Sequence, residues 1–385
     1  DLHVVNSCTV THVAARTSRK RARRSKRRNP RVRTVLTGCY VSGDPEEAAS
    51  LTGVDLVVPN RRKHRLVEEI HERFPESRPG PSTGMDDDLP YEQLGWGNSR
   101  GLVKIEDGCN VGCAFCIIPT TRGRQRSRPL PEVLEEVKGL ARAGYREVIL
   151  TGVQISHYRW EGADLFELVQ RILAECPLPR VRLTSLAPWR FDRRLLPLLR
   201  EDRVCRHVHL SLQSGAEATL ERMGRPYRAR EYRELVEEIR REVPGIAVTT
   251  DVIVGFPGET GEEFEESLAF VRERRFAKIH AFPYSERPGT PAADLPDPVP
   301  YDTKRTRMDR MLSLAEETER EFWASRLGEE SEVLWEESRN GRWWGTTDHY
   351  VRVWSQSPGD LAGRLGPARL TGITAEGVRA EMIGA

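Results

Sequence analysis

The apolar positions of this chain change their spacing three times, and each change marks a structural block. In residues 1–75 short apolar runs alternate with helical stripes. "LHVVNSC" reads as a strand that ends at a cysteine, a basic helix follows, and "RTVLTGCY" is a second strand ending at a cysteine. "VDLVVPN" is a third strand and "HRLVEEIHERF" a helix, which makes the block an α/β unit. Over residues 76–99 Pro, Gly and acidic residues replace any periodicity ("PESRPGPSTGMDDDLP"), the composition of a linker.

From Gly101 to about Phe282, within a block that runs over residues 100–322, strands and helices alternate. The strands are "LVKIE", "EVILT", "RVRLT", "HVHLS", "AVTTDVIVGF" and "KIHAFPY", with helical stretches such as "LPEVLEEVKGLARAG", "DLFELVQRILAEC" and "GEEFEESLAFVRERR" between them. Six β-α repeats without hairpin turns predict a parallel sheet wound into a partial (β/α)6 barrel of TIM type. Active groups in such folds sit at the C-terminal ends of the strands. A charged helix is expected near 302–326. Residues 323–385 then change character: "SEVLWEE", "WWGTTDHYVRVW" and "ARLTGITAEGVRAEMI" alternate in strand fashion, predicting a small antiparallel β-barrel. The fold class is α/β with this all-β appendix.

Composition adds limits. The chain has 385 residues, 38% of them hydrophobic and 31% charged, enough for two or three cores and a well-solvated surface. No apolar run approaches the roughly 20 residues that cross a bilayer, so no membrane association is expected. The chain opens with Asp1 and not Met, and the expectation is that an N-terminal piece is missing. The net charge of +2 hides an asymmetry: between Arg16 and Arg33 there are eleven Lys or Arg and no acid. Like charges at i,i+3 and i,i+4 repel along a helix. The run is either a solvated face or a surface for nucleic acid, and Arg23, Arg24, Arg27 and Arg28 are its candidates for RNA contact.

Three of the seven cysteines fall in "GCNVGCAFCIIP", at Cys109, Cys113 and Cys116, directly after the first strand of the β-α series. Clustered cysteines point to metal chemistry in a reducing compartment, the cytoplasm, more than to a disulfide framework. Sulfur ligands favour an iron–sulfur centre or zinc. Structural zinc needs a fourth ligand; Asp107, Asn110 and Thr120 are poor ones, and no His lies between residues 72 and 156. Three thiolates on one loop can instead hold an iron–sulfur cube whose fourth iron stays open to a small molecule.

The loop, with Phe115 just before Cys116, resembles the signature of radical S-adenosylmethionine enzymes. "NSCTVT", "TGCY", "CIIPTTRG", "LSLQSG", "TDVIVGFPGET" and "HAFPYSERPGTPAA" extend the likeness to the methylthiotransferases over essentially the whole chain. Within that family, "HAFPYSERPGTPAA" and "VLWEESRNGRWWGTTDHYVRV" are most similar to the tRNA N6-threonylcarbamoyladenosine methylthiotransferases. The resemblance implies an N-terminal cluster domain, a radical barrel and a C-terminal TRAM barrel. It implies that Cys109, Cys113 and Cys116 hold a [4Fe–4S] cluster whose open iron chelates S-adenosylmethionine. Reductive cleavage would release a 5′-deoxyadenosyl radical that takes hydrogen from carbon 2 of an adenine ring, where a methylthio group is installed. It implies a second [4Fe–4S] cluster on three N-terminal cysteines, of which Cys8 and Cys39 are present and the third is expected upstream of Asp1. The implied partners are tRNA and an electron donor of flavodoxin or ferredoxin type.

The resemblance also suggests positions for other residues. Phe115 is expected near the cofactor's adenine or packed beside the cluster. "TGVQ" (Thr151, Gly152, Gln154) ends the second strand, in place of a glycine-rich turn, where backbone carbonyls would meet the methionine amine. "SLQSG" offers Ser211, Gln213 and Ser214, with Gln213 toward the carboxylate or ribose. Arg122 would pair with a phosphate, the cofactor carboxylate or a structural partner. Gly255 and Pro257 form a turn, and Cys176 and Cys205 are expected as buried structural thiols. In the last block Trp343, Trp344, Tyr350, Arg352 and Trp354 could stack on bases and bind phosphate. Alternation puts about half of these aromatics in the core, leaving Arg352 and one Trp for RNA. The rival functions are the same chemistry on isopentenyladenosine in tRNA or on a ribosomal-protein aspartate, and a non-catalytic zinc–thiolate RNA-binding protein.

Overall fold

The structure is a computed structural model that describes residues 1–77 and 99–383. Of the linker expected at 76–99, residues 78–98 lie outside the described residues. Two compact units emerge. One holds the described residues up to 77 together with Gly108–Gln125 and Ser285–Pro296; the other holds 99–107, Arg126–Tyr284 and the described residues from Asp297 onward.

In the first unit three parallel strands, β1 (Leu2–Ser7), β2 (Arg33–Gly38) and β3 (Leu56–Pro59), pair in the order β1-β2-β3. Helix α1 (His12–Arg28) follows β1. Thr11 caps it by accepting from the Ala14 N–H at 3.1 Å. It buries only Ala15, Ser18 and Ala22, small residues at helical spacing, and its remaining length is mostly cationic. Helices α2 (Cys39–Gly43), α3 (Pro45–Ser50), α4 (Leu66–Arg73) and α5 (Ile118–Arg122) complete the unit. Val5, Leu36, Tyr40, Val41, Ala48 and Leu51 share a buried cluster with Ala15 and Ala22 of α1.

The second unit carries all six strands expected from the sequence. These are β4 (Arg100–Lys104), β5 (Glu147–Thr151), β6 (Arg180–Leu183), β7 (His207–His209), β8 (Ala247–Val254) and β9 (Lys278–Pro283). They pair in parallel as β6-β5-β4 and β7-β8-β9, and the bridges Val181–Val204 and Leu186–Leu210 link the two sheets. Helices α6 (Leu130–Arg142), α7 (Leu165–Glu175), α8 (Ala229–Glu242) and α9 (Gly261–Arg274) bury their apolar stripes on the sheet. In α8, for example, Tyr232, Leu235, Val236 and Ile239 recur at three- and four-residue steps. Helix α9 starts at a capping box, with Thr260 Oγ1 accepting from Glu263 N at 3.1 Å and Glu263 accepting from Thr260 N at 3.2 Å.

The long helix α10 (Tyr301–Ala324) leads to the terminal strands β10 (Glu330–Arg339), β11 (Arg342–Thr347), β12 (Arg352–Ser355), β13 (Leu365–Ile373) and β14 (Val378–Met382). They close into a barrel in the order β10-β11-β12-β14-β13. One seam corrects the all-antiparallel expectation: β12 and β14 run parallel. An odd number of strands in a closed ring cannot alternate in direction throughout, so five strands force one parallel seam.

A buried charge cluster lies against this barrel. Arg180 and Arg182 of β6 reach Glu147 of β5 at 2.9 and 2.7 Å, all three being 0–1% exposed. Arg182 also donates to the carbonyls of Thr347, the last residue of β11, at 3.1 Å, and of Asp348, in the turn that follows, at 2.9 Å. Among the described residues no helix is long and apolar enough to cross a membrane.

Candidate active site

The register of the first sheet gathers its chemistry. Ser7 stands opposite Gly38 and Gly38 opposite Pro59, so the residues that follow, Cys8, Cys39 and Asn60, leave the carboxyl edge side by side. Gly38 has φ +105°, and a side chain there would collide with the backbone of Ser7. Cys8 is fixed through its backbone N–H, which donates to Ser18 Oγ of α1 at 3.2 Å.

The loop of Cys109, Cys113 and Cys116 belongs to the same unit. It opens on Gly108 at φ +77°, where a Cβ would collide with the Arg124 carbonyl. Backbone bonds shape the loop: Cys109 N to Gly123 O at 3.1 Å, Cys116 N to Cys113 O at 3.0 Å, and Ala292 N to Ala114 O at 2.8 Å. Cys109 and Cys113 are 7% exposed, while Cys116 and Phe115 are half-buried. The Val111 N–H points at Cys109 Sγ, 3.5 Å away. Helix α5 then brings Arg122 to Cys39, with Nε 3.2 Å from Sγ. Asn60 spans the two elements, donating from Nδ2 to Cys39 Sγ at 3.4 Å and to the Thr121 carbonyl at 3.2 Å.

These surroundings suit an anionic sulfur centre. Cys39 receives two N–H donors, one of them cationic. Arg287 is 6% exposed, its Nε is buried without a hydrogen-bond partner among the described residues, and its charge acts on Cys8. Burial holds the Arg287 pKa below its ordinary value against the pull of that thiol. Among the described residues no three His, Cys, Asp or Glu side chains gather around a point for a single ion, as structural zinc would require. A cube, by contrast, spreads its thiolates over separate irons.

In the second unit the strand ends carry a polar system. Glu106, 1% exposed, accepts at Oε2 from the N–H groups of Val153 and Gln154, at 2.8 and 2.9 Å. It thereby holds the Thr151–Gln154 turn, and a Cβ on Gly152 would stand 2.7 Å from that oxygen. Glu106→Ala is expected to cost about 2–3 kcal/mol through the loss of two charge-assisted bonds, read as a lower urea midpoint. Ser211 donates to Asp251 Oδ2 at 3.2 Å, and His209 Nε2 lies 3.1 Å from the same oxygen. Burial alone would raise the Asp251 pKa, but its bond to His209 and the nearby imidazoles hold it below the carboxylate range. Gln213 adopts φ +75° with its backbone bonded to both Asp251 and Ile253, a left-handed conformation that costs a residue with a side chain about 1–3 kcal/mol. Ser214 is buried and accepts from Ala216 N.

In the terminal barrel Arg352 is exposed and lies over the Trp344 ring at 4.5 Å. Trp344 and Trp354 are 7% and 9% exposed, whereas Trp343 is half-buried. Val351, not Tyr350, fills the core; Tyr350 stacks on His207 at 4.7 Å. On α1, Arg23, Arg24, Arg27 and Arg28 are all exposed. Cys176 and Cys205 are buried, and burial pushes both thiols up.

Sequence reasoning missed Asn60, Glu106, Asp251 and Arg287. Asn60 was findable, because "VVPN" ends its strand as "NSC" and "TGC" end theirs. Arg287 lies inside the quoted segment "HAFPYSERPGTPAA", but nothing local ties it to Cys8: only the fold brings its charge to that thiol.

Residues 103–271 match the Radical SAM superfamily, and residues 1–59 match Uncharacterized protein family UPF0004. The chain is 35% identical over 383 residues to the threonylcarbamoyladenosine tRNA methylthiotransferase MtaB of Bacillus subtilis, covering 95% of this chain and 84% of that one. It is 33% identical over 390 residues to the tRNA-2-methylthio-N(6)-dimethylallyladenosine synthase of Syntrophotalea carbinolica, covering 96% and 88%. Among solved structures it resembles the radical S-adenosylmethionine methyltransferase TsrM from Kitasatospora setae, with a TM-score of 0.56 at 20% identity over 76% of this chain and 65% of that one. That likeness is one of fold.

Proposed function

Because this chain belongs to the radical S-adenosylmethionine tRNA methylthiotransferases, we propose that it installs a methylthio group at carbon 2 of N6-threonylcarbamoyladenosine in tRNA. The observation that carries the choice of adenosine is the likeness to relatives named for that nucleoside, at 35% and 37% identity over 95% and 87% of the chain.

In this reading Cys109, Cys113 and Cys116 hold one [4Fe–4S] cluster, and Cys8 and Cys39 contribute to a second. Together with S-adenosylmethionine these groups supply the radical and the sulfur chemistry. The chain's own residues supply placement. Gly38 and Gly108 permit the turns that aim the thiols, and Arg122, Asn60 and Arg287 put positive charge and N–H donors where thiolates gather negative charge. Glu106 fixes the Thr151–Gln154 turn, while Ser211 and Gln213 offer polar groups just past the carboxyl end of β7. Arg352 over Trp344 presents a cation to RNA. The division of labour among residues 1–75, 100–322 and 323–385 is part of the same proposal, as are a flavodoxin- or ferredoxin-type donor and a cytoplasmic site of action.

Mass spectrometry of tRNA nucleosides from cells with and without the gene tests it. The expected result is a 2-methylthio-N6-threonylcarbamoyladenosine signal that vanishes with the gene while the unmethylthiolated nucleoside rises. Loss of the 2-methylthio-isopentenyl nucleoside instead would transfer the substrate to the alternative adenosine.

A further inference from the structure

We infer that one face of α1 is a phosphate-binding track for the RNA substrate, made by Arg16, Lys20, Arg23 and Arg27. A cavity of about 700 Å³ runs along it, lined by these four, Arg19, Lys26, Thr52 and Gly53, with no carboxylate in the lining. Gly53 lets the floor approach the helix closely, since a Cβ there would stand 3.1 Å from that of Lys26. Two of the lining cations are committed inside the fold: Arg19 pairs with Glu47 at 3.7 Å, and Lys26 with Asp55 at 2.8 Å. Arg16, Lys20, Arg23 and Arg27 are exposed, and among the described residues none has an ion-pair partner.

Their steps of four, three and four residues put them on one helix face. Four like charges so spaced destabilise an isolated helix by about 0.2–0.5 kcal/mol per neighbouring pair. The helix dipole offsets this for Arg27, in the last turn, but not for Arg16, Lys20 or Arg23. An external anion removes the repulsion. The stripe spans about 16 Å at 1.5 Å per residue, too long for one phosphate group and suited to a chain of them. The track also separates residues that the bare sequence groups together: Arg23 and Arg27 line it, while Arg24 and Arg28 do not.

The inference rests on the tRNA reading above, and its test is chosen to fail separately. Full-length protein, Arg16→Gln/Arg23→Gln/Arg27→Gln, and the control Arg21→Gln/Arg24→Gln/Arg28→Gln bind unmodified tRNA in a filter assay across a salt series. Both variants lose three charges from the same helix. The track variant is expected to lower the slope of log K against log salt by about 2–3 and affinity near 0.1 M salt by about a hundredfold, the counterion arithmetic for three phosphates. The control is expected to change the slope by less than about 1. Equal losses in the two variants would reduce the helix to a net-charge effect and overturn the track. So would unchanged tRNA binding accompanied by track-dependent binding to phosphatidylglycerol vesicles, which would make the face a lipid surface. Track-dependent tRNA binding without any 2-methylthio product would uphold the track and count against the proposed reaction alone.

Discussion

Replacing Cys109, Cys113 and Cys116 together by alanine is expected to abolish reductive cleavage of S-adenosylmethionine to 5′-deoxyadenosine, with the fold retained. The loss should be complete, because no other cysteines in the chain share a loop at this spacing. Retention follows from how the loop is built. Its shape rests on backbone bonds, from Cys109 N to Gly123 O, Cys116 N to Cys113 O and Gly123 N to Pro119 O, which alanine keeps. Gly108 and Gly123 retain their positive φ angles. Each buried thiol lost is expected to cost about 1 kcal/mol, the usual size of a single core substitution. Circular dichroism melting should therefore stay cooperative while the visible absorbance of reconstituted protein falls. Undiminished 5′-deoxyadenosine formation by the triple variant would remove the loop from the chemistry.

How much of this was legible beforehand depended on the range of the interaction. Short apolar segments separated by helical stripes, with no hairpin turns between them, located all six strands of the series, because a parallel sheet covered by helices is written that way. Helices α2 and α3 went unread, since five or six residues hold too little periodicity to register. The cysteines were visible by identity, but Asn60 and Arg122 act on Cys39 only once the parallel register and α5 bring them there. "RVRLT" is a more instructive case. Its alternation gives no reason to bury the arginines, yet Arg180 and Arg182 are 1% and 0% exposed, because Glu147 and the terminal barrel cover them. Tertiary partners decided their burial, and a local pattern carries no record of partners that lie 35 or 166 residues away.

That buried cluster carries the largest stability effect expected in the molecule. Glu147→Ala should cost about 3–5 kcal/mol, because it leaves two buried guanidiniums without their counter-charge. Replacing all three residues, as Glu147→Leu/Arg180→Met/Arg182→Met, removes the charges together and should cost less than the single change. It should not be neutral, since the Thr347 and Asp348 carbonyls lose the Arg182 donors, worth about 1–3 kcal/mol. The pH dependence has a definite sign. Burial alone would raise the Glu147 pKa, but Arg182 and Arg180 outweigh it and hold the carboxylate below its ordinary value. The unfolded chain therefore binds the proton more readily than the native one. The stabilisation is complete above the unfolded carboxylate pKa of about 4.3 and is lost as pH falls through the lower native value. Guanidinium denaturation at stepped pH should accordingly find the gap between wild type and Glu147→Gln widest at neutral pH and closing only in acid. A gap that widened on acidification, or an alanine variant within 1 kcal/mol of wild type, would mean that the ion cluster does not fasten the terminal barrel to the strand series.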